Sequence, residues 1–241
     1  MQEKPEAFAA LGVEWPPTED ELPCDDGMPM ETQRHVMQLQ LLMDPLRVYW
    51  VERQDVYVGG NMFVYFSLEQ VRNQDFRGPD FFVVLDVPKR ERKSWVVWQE
   101  GKGPDVVIEL LSESTAAVDK GEKKRVYQDC LRVPEYFWFD PFSAEWAGFA
   151  LRHGVYEPIA EDAQGRLCSK QLGLALVRWD GSYHEVEARW LRWATLEGEL
   201  LLTPQEALVH EQRQAEAAQQ RAAALEDLLA RYRERFGEAP E

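Results

Sequence analysis

The chain is 241 residues long, 45% apolar and 12% aromatic, with 9 Trp and a formal charge of −16. That aromatic load excludes a disordered polymer, and the length supplies core for one large domain or a domain with an appendage. The charge excludes a uniformly basic nucleic-acid coat, yet it is unevenly placed: residues 1–30 carry −7, residues 203–241 carry −3, and only −6 remains between them.

Cys24, Cys130 and Cys168 are far apart and form no CxxC pair, so neither a zinc site nor a disulfide framework is expected and a reducing cytoplasm fits. The first residues lack the charged, apolar, small-residue order of a secretory leader, and no apolar run reaches the length of a membrane span. The expectation is a cytoplasmic protein that makes no membrane contact.

In chain order, residues 1–29 are rich in Pro and acid and read as an extended arm with turns at Pro16-Pro17 and Asp26-Gly27. Residues 31–45 follow as a helix, with Val36, Leu39, Leu42 and Met43 at helical spacing and Pro45 near its end. Residues 55–66 predict a strand interrupted by Gly59-Gly60 as a bulge or a hairpin turn. Residues 78–87 predict a buried strand, 89–93 (KRERK) a charged loop, and 95–98 a short strand-like run. The centre is a strand over 106–111, a basic amphipathic helix over 119–131 with Val126, Cys130 and Leu131 on one face, and an aromatic strand over 135–140 closed by Pro141. Strand, helix, strand implies a parallel pair. Alternating stretches at 146–151, 174–179 and 185–193 predict an antiparallel extension of the sheet or a small β-subdomain. From Pro204 the composition turns to Ala, Gln, Glu and Arg; Leu208, Ala215, Ala218, Ala222, Leu225, Leu229, Tyr232 and Phe236 keep a three-four spacing. That is a long helix with a weak heptad seam, either a solvent-facing tail or the strand of a coiled-coil homodimer.

Glu109 breaks an otherwise apolar run. An unpaired buried carboxylate costs several kcal/mol, so it needs a cation, a metal, or the strand's open end. Lys120, Lys123, Lys124 and Arg125 on the next helix supply cations, and Pro79-Asp80 opens the neighbouring strand with a second acid.

The order helix, bent strand pair, Pro-Asp strand, Glu strand, basic helix, strand matches the αβββαβ core of the PD-(D/E)XK nucleases. RGPDFFVV, VIELLSEST, the D-x-x-x-K-x-x-x-Y run from Asp119 through Lys123 to Tyr127, VPEYFWFDP, QLGLAL near Leu172 and the charged C-terminal helix together resemble the Uma-type restriction endonuclease family of bacteria, over nearly the whole chain. The resemblance implies an α/β (α+β) fold with an antiparallel β extension and a long C-terminal helix. It divides the chain into an arm at 1–30, a nuclease domain at 31–202 and a C-terminal helix at 203–241.

It also implies Mg²⁺ or Mn²⁺ held by Asp80, Glu109 and the Leu110 carbonyl, hard oxygen donors of the kind these ions prefer. The superfamily places a Lys two residues after the Glu, where this chain has Leu111; the family pattern moves that role to Lys123, with Lys120 and Lys124 as alternatives. Helix geometry favours Lys123, on the border of the buried face, and sets Lys120 and Lys124 on a stripe with Tyr127. Glu31 and His35 are candidates for a third acid and a proton carrier. Nucleic acid, DNA in the first instance, is expected against Lys89, Arg90, Arg92 and Lys93 together with the basic helix.

Plainer readings stand beside each of these. Asp80 and Asp105 could open strands, Glu109 and Lys123 could be a structural pair, and Asp119 could cap its helix. Ser112, Ser114 and Thr115 could bind phosphate or form a polar turn. At the level of the whole chain, a metal-dependent endonuclease competes with an inactive nuclease-fold binding module and with a scaffold dimerised through the C-terminal helix.

Overall fold

The computed structural model describes residues 16–24, 32–69, 78–113 and 115–237. Two compact units result, Met1–Leu201 and Leu202–Glu241.

The first unit is built on a six-stranded sheet. Its strands are β1 (Val56–Gly60), β3 (Phe81–Leu85), β5 (Val106–Leu110), β6 (Glu135–Phe139), β7 (Trp146–Arg152) and β8 (Val155–Ile159), adjacent in that order. Only β5 and β6 run parallel. A two-residue strand β2 (Val64–Tyr65) pairs in parallel with β4 (Trp95–Val96), which leads into a single helical turn, α2 (Val97–Glu100). A three-stranded antiparallel sheet is made of β9 (Leu167–Ser169), β10 (Leu174–Tyr183) and β11 (Val186–Ala194).

Period-two alternation divides the main sheet's side chains between two cores. Phe81, Val83, Val106, Ile108, Leu110, Phe137 and Phe139 pack with Leu39, Leu42 and Leu46 of helix α1 (Gln33–Tyr49), and with Leu174, Leu176, Leu191 and Trp193 of the small sheet. Phe82, Val84, Val107 and Tyr136 face the other way, toward Tyr127 of helix α3 (116–130). Each fully buried Leu or Phe contributes on the order of 1.5–3 kcal/mol, so α1 is held by its apolar face, whereas α3 buries Tyr127 and Asp119. Gln38 of α1 fastens the small sheet with two hydrogen bonds to the Leu191 backbone, donating through Nε2 (2.8 Å) and accepting through Oε1 (2.9 Å).

Several elements differ from the sequence reading. Pro45 lies inside α1, which runs on to Tyr49: the buried Leu46 and Trp50 hold the last turn although Pro45 offers no N–H. Gly59-Gly60 makes neither hairpin nor bulge, because β1 and β2 belong to different sheets. Gly60 is required by close packing, since a Cβ there would sit 2.9 Å from the Asp80 carbonyl oxygen. Both expectations for 146–193 hold in part: β7 and β8 extend the main sheet, and β9–β11 form a sheet of their own. Neither β8 nor β9 is among the expected strands, because β8 is interrupted by Pro158 and β9 is three residues long.

The described part of the N-terminal arm is packed. Leu22 is buried, Tyr65 Oη donates to the Pro23 carbonyl (2.6 Å) and Trp98 Nε1 to the Pro17 carbonyl (2.8 Å). The Asp26-Gly27 turn lies outside the described residues.

The second unit is helix α4 (Pro204–Phe236), 33 residues long. It opens with a capping box in which Thr203 and Glu206 each bond the other's backbone N–H, with Pro204 at its first position, and it ends at Gly237 (φ 80°).

Candidate active site

Asp80 and Phe82 share a sheet face, as do Val107 and Glu109, so the two acids stand on neighbouring strands and on the α3 side. They are tied together through the backbone. Asp80 Oδ2 accepts from the Leu110 N–H at 2.7 Å, and Glu109 Oε2 accepts from the Asp80 N–H at 3.4 Å.

Helix α3 closes the site from above. Its first turn is α-helical (Ala116–Val118) and is followed by two π-turns, Asp119–Lys123 and Val126–Cys130. Tyr136 Oη donates to the Asp119 carbonyl at 2.9 Å, giving that widened turn a partner. One face then carries Asp119, Lys123 and Tyr127. Lys123 Nζ donates to Glu109 Oε2 at 3.1 Å and lies 2.9 Å from Asp119 Oδ1; Tyr127 Oη donates to Glu109 Oε1 at 2.5 Å. Glu109 is 0% exposed, Asp119 and Tyr127 1%. Asp119 Oδ1 has the ammonium's charge nearby but no hydrogen bond aligned on it.

Three carboxylates and one ammonium leave a formal charge of −2 in a mostly buried cluster. Burial drives the Glu109 carboxyl well above its usual range; Lys123 opposes this, Asp80 and Asp119 reinforce it, and Tyr127 opposes it. Burial likewise raises Asp80, against Lys123 and the Leu110 N–H. Burial alone would lower Lys123, but Glu109, Asp119 and Asp80 outweigh it and hold the ammonium charged.

A hard divalent cation fits this cluster in charge and donor chemistry: it would cancel −2, and carboxylate and carbonyl oxygens are the donor type it prefers. Among the described residues no three His, Cys, Asp or Glu side chains converge as ligands. The protein would supply two carboxylates and a carbonyl, with water completing the shell, a sparse ligation typical of Mg²⁺.

The other candidates fall elsewhere. Lys120 Nζ sits 4.2 Å from the Trp138 ring centroid and Lys124 Nζ 3.2 Å from that of Phe149; among the described residues Lys123, and neither of these two, forms the ion pair with Glu109. His35 is buried at the edge of the site, with Nε2 3.2 Å from the Leu111 carbonyl oxygen and Nδ1 2.8 Å from Thr32 Oγ1, where it positions the chain just after β5. Glu31 and Ser114 lie outside the described residues. Ser112 Oγ accepts from the Thr115 N–H at 3.1 Å, the polar-turn reading.

The 89–93 loop is not brought to the cluster. It follows the far end of β3, where the Lys89 N–H bonds the Gln54 carbonyl. Asp80 precedes the other end of that strand, about 17 Å from Leu85 at roughly 3.4 Å per residue. Arg90 pairs with Glu19 (2.9 Å) and with Glu100, Arg92 with Glu100 (2.8 Å), and Lys93 with Asp20 (2.6 Å). The acidic arm and α2 thus neutralise most of the loop.

Two residues of the cluster differ from the sequence reading. Asp119 is a buried partner of Lys123, not an N-cap, because the helix starts a turn earlier. Tyr127 lies on the Lys123 face rather than with Lys120 and Lys124. The four-residue spacing of Asp119, Lys123 and Tyr127 is the signal that carries both, and the π-turns hold the three together. Cys130, expected on the apolar face, is exposed. Tyr127→Phe should leave a buried carboxylate oxygen without its donor, at a cost of about 1–3 kcal/mol. The urea midpoint measures this, and an unchanged midpoint would mean that the contact carries no stability.

A mixed sheet flanked by helices, with an Asp-Glu-Lys cluster at the edge of two neighbouring strands, defines a restriction-endonuclease-like fold. The model of the Uma2 family, described as "Putative restriction endonuclease", matches residues 25–181, and the chain belongs to that family. No curated protein matches it. Among solved structures it is similar to a "putative nuclease belonging to DUF820" from Anabaena variabilis, with 17% identity over 61% of this chain and 87% of that one, at a TM-score of 0.42. No helix among the described residues is long and apolar enough to cross a membrane.

Proposed function

We propose that the chain is a metal-dependent endonuclease that hydrolyses phosphodiester bonds of DNA. The observation that carries this is the buried Asp80–Glu109–Lys123–Asp119 cluster with its formal excess of −2. Asp80, Glu109 and the Leu110 carbonyl would hold Mg²⁺ or Mn²⁺, which when bound would polarise the phosphate and acidify a water. Lys123 presents a fixed positive charge where negative charge develops on the phosphate, and its hydrogen bond to Glu109 fixes its direction. Tyr127 and the Asp80 N–H hold the Glu109 carboxylate in one orientation.

Nucleic acid would approach along α3 and β6. Trp138 is paired with Glu109 in the parallel register, shares its sheet face and is half-buried beneath Lys120. An aromatic ring and a lysine beside the acids suit a base and a phosphate. Trp138→Ala should weaken binding by about 1–3 kcal/mol, and Lys120→Ala should lower the log-log salt slope by about 1. Replacing Lys89 and Arg90 by Ala should change the slope little. The opposite pattern in fluorescence-anisotropy titrations at several salt concentrations would move the binding face to the loop.

The direct Lys123–Glu109 contact also suits a structural ion pair in an inactive binding protein. Supercoiled plasmid incubated with Mn²⁺ separates the two readings. Conversion to nicked or linear DNA that EDTA stops is the expected result. No conversion, together with no heat of Mn²⁺ binding by calorimetry, would leave the binding-protein reading.

A further inference from the structure

Helix α4 exposes Leu208, Leu225, Leu228, Leu229 and Tyr232, each between 49% and 65% accessible. Their order is regular. Taking Leu208 as position a, the a positions are Leu208, Ala215, Ala222 and Leu229, and the d positions are Glu211, Ala218, Leu225 and Tyr232. Four heptads, interrupted by Glu211 alone, suit a partner with the same period, which a second copy of this helix provides. Glu211 is the weak layer, so pairing is concentrated from Ala218 onward.

Charge selects the direction. Arg221 stands at position g and Glu226 at the e position five residues on. In a parallel, in-register pair, Arg221 of each copy faces Glu226 of the other, twice per dimer; in an antiparallel pair centred on the alanines, Arg221 faces Arg221. Within α4, Asp227 is paired with Arg231 at 2.7 Å, whereas Arg221 and Glu226 have no ion-pair partner among the described residues. We infer that α4 joins two copies of this chain as a parallel two-stranded coiled coil, clamped by Arg221 and Glu226.

Light scattering on the full chain should give twice the chain mass. Arg221→Glu or Glu226→Arg alone should weaken dimerisation by about tenfold, through two attractions turned to repulsions, and the double exchange should restore it. Leu225→Glu with Leu229→Glu should give a monomer. All nine Trp precede α4, so an unchanged tryptophan unfolding curve shows that the first unit remains folded in each variant. A monomeric wild type, or a dimer indifferent to the Leu225 and Leu229 changes, would overturn the coiled coil. Single exchanges without effect, or a double exchange that fails to restore the dimer, would overturn the parallel register.

Discussion

Glu109→Gln should reduce metal-dependent cleavage by a factor of about 10³ or more, since the variant keeps the shape of the side chain and removes a ligand charge. Asp80→Asn should do the same, and both should diminish the heat of Mn²⁺ binding. The pH dependence follows from the raised carboxyls. Glu109 titrates well above its usual 4.5 and Asp80 above its usual 3.8, so the folded, metal-free protein holds protons there that the unfolded chain has released. The stabilising contribution of these two groups is complete below those usual values and is lost as pH rises through the raised ones. Metal binding displaces the same protons, so Mn²⁺ affinity should rise with pH across that window while metal-free stability falls. Glu109→Gln should flatten both slopes. A variant that cleaves like the wild type, or a Mn²⁺ affinity independent of pH, would exclude Glu109 as a ligand.

The core strands are legible because burial writes itself into sequence. The runs at 81–85, 106–110 and 135–139 are rich in apolar residues on both faces, and Glu109 stands out as the one charge in its run that needs a partner. Asp80 and Lys123 are legible through a spacing shared with a family. The cluster's remaining members are hidden by helix geometry: a register drawn on about 3.6 residues per turn puts Tyr127 with Lys120 and Lys124, while π-turns carry it to Glu109 beside Lys123. The basic loop misleads for a different reason. A run of Lys and Arg shows charge but not where its counter-charges lie, and Glu19, Asp20 and Glu100 come from segments that only the fold brings to it. Trp138 gives no signal of its own, because an aromatic in a buried strand reads as core until the partner strand places it opposite Glu109.

Lys123→Met should make the stability of the protein depend on metal. The ammonium is the only cation in ion-pair contact with Glu109 and Asp119 among the described residues, and its stem is compatible in length with Met. Without it, three carboxylates face one another, and an uncompensated buried charge costs about 3–5 kcal/mol when a partner is removed. That loss should show as a lowered melting temperature in EDTA near neutral pH, and less so in acid, where Glu109 and Asp80 take up protons instead. Added Mn²⁺ should recover the melting temperature and bind more tightly than to the wild type, because the competing ammonium is gone. Cleavage should remain lost, since the metal replaces the lysine's charge toward the carboxylates but not toward the phosphate. Lys124→Ala, whose native ammonium lies over Phe149 and makes no contact with the cluster, should leave both properties close to wild type. Should Mn²⁺ fail to raise the melting temperature of Lys123→Met, the cluster is a structural ion pair and not a metal site; should that variant still cleave, the positive charge at the phosphate comes from another residue.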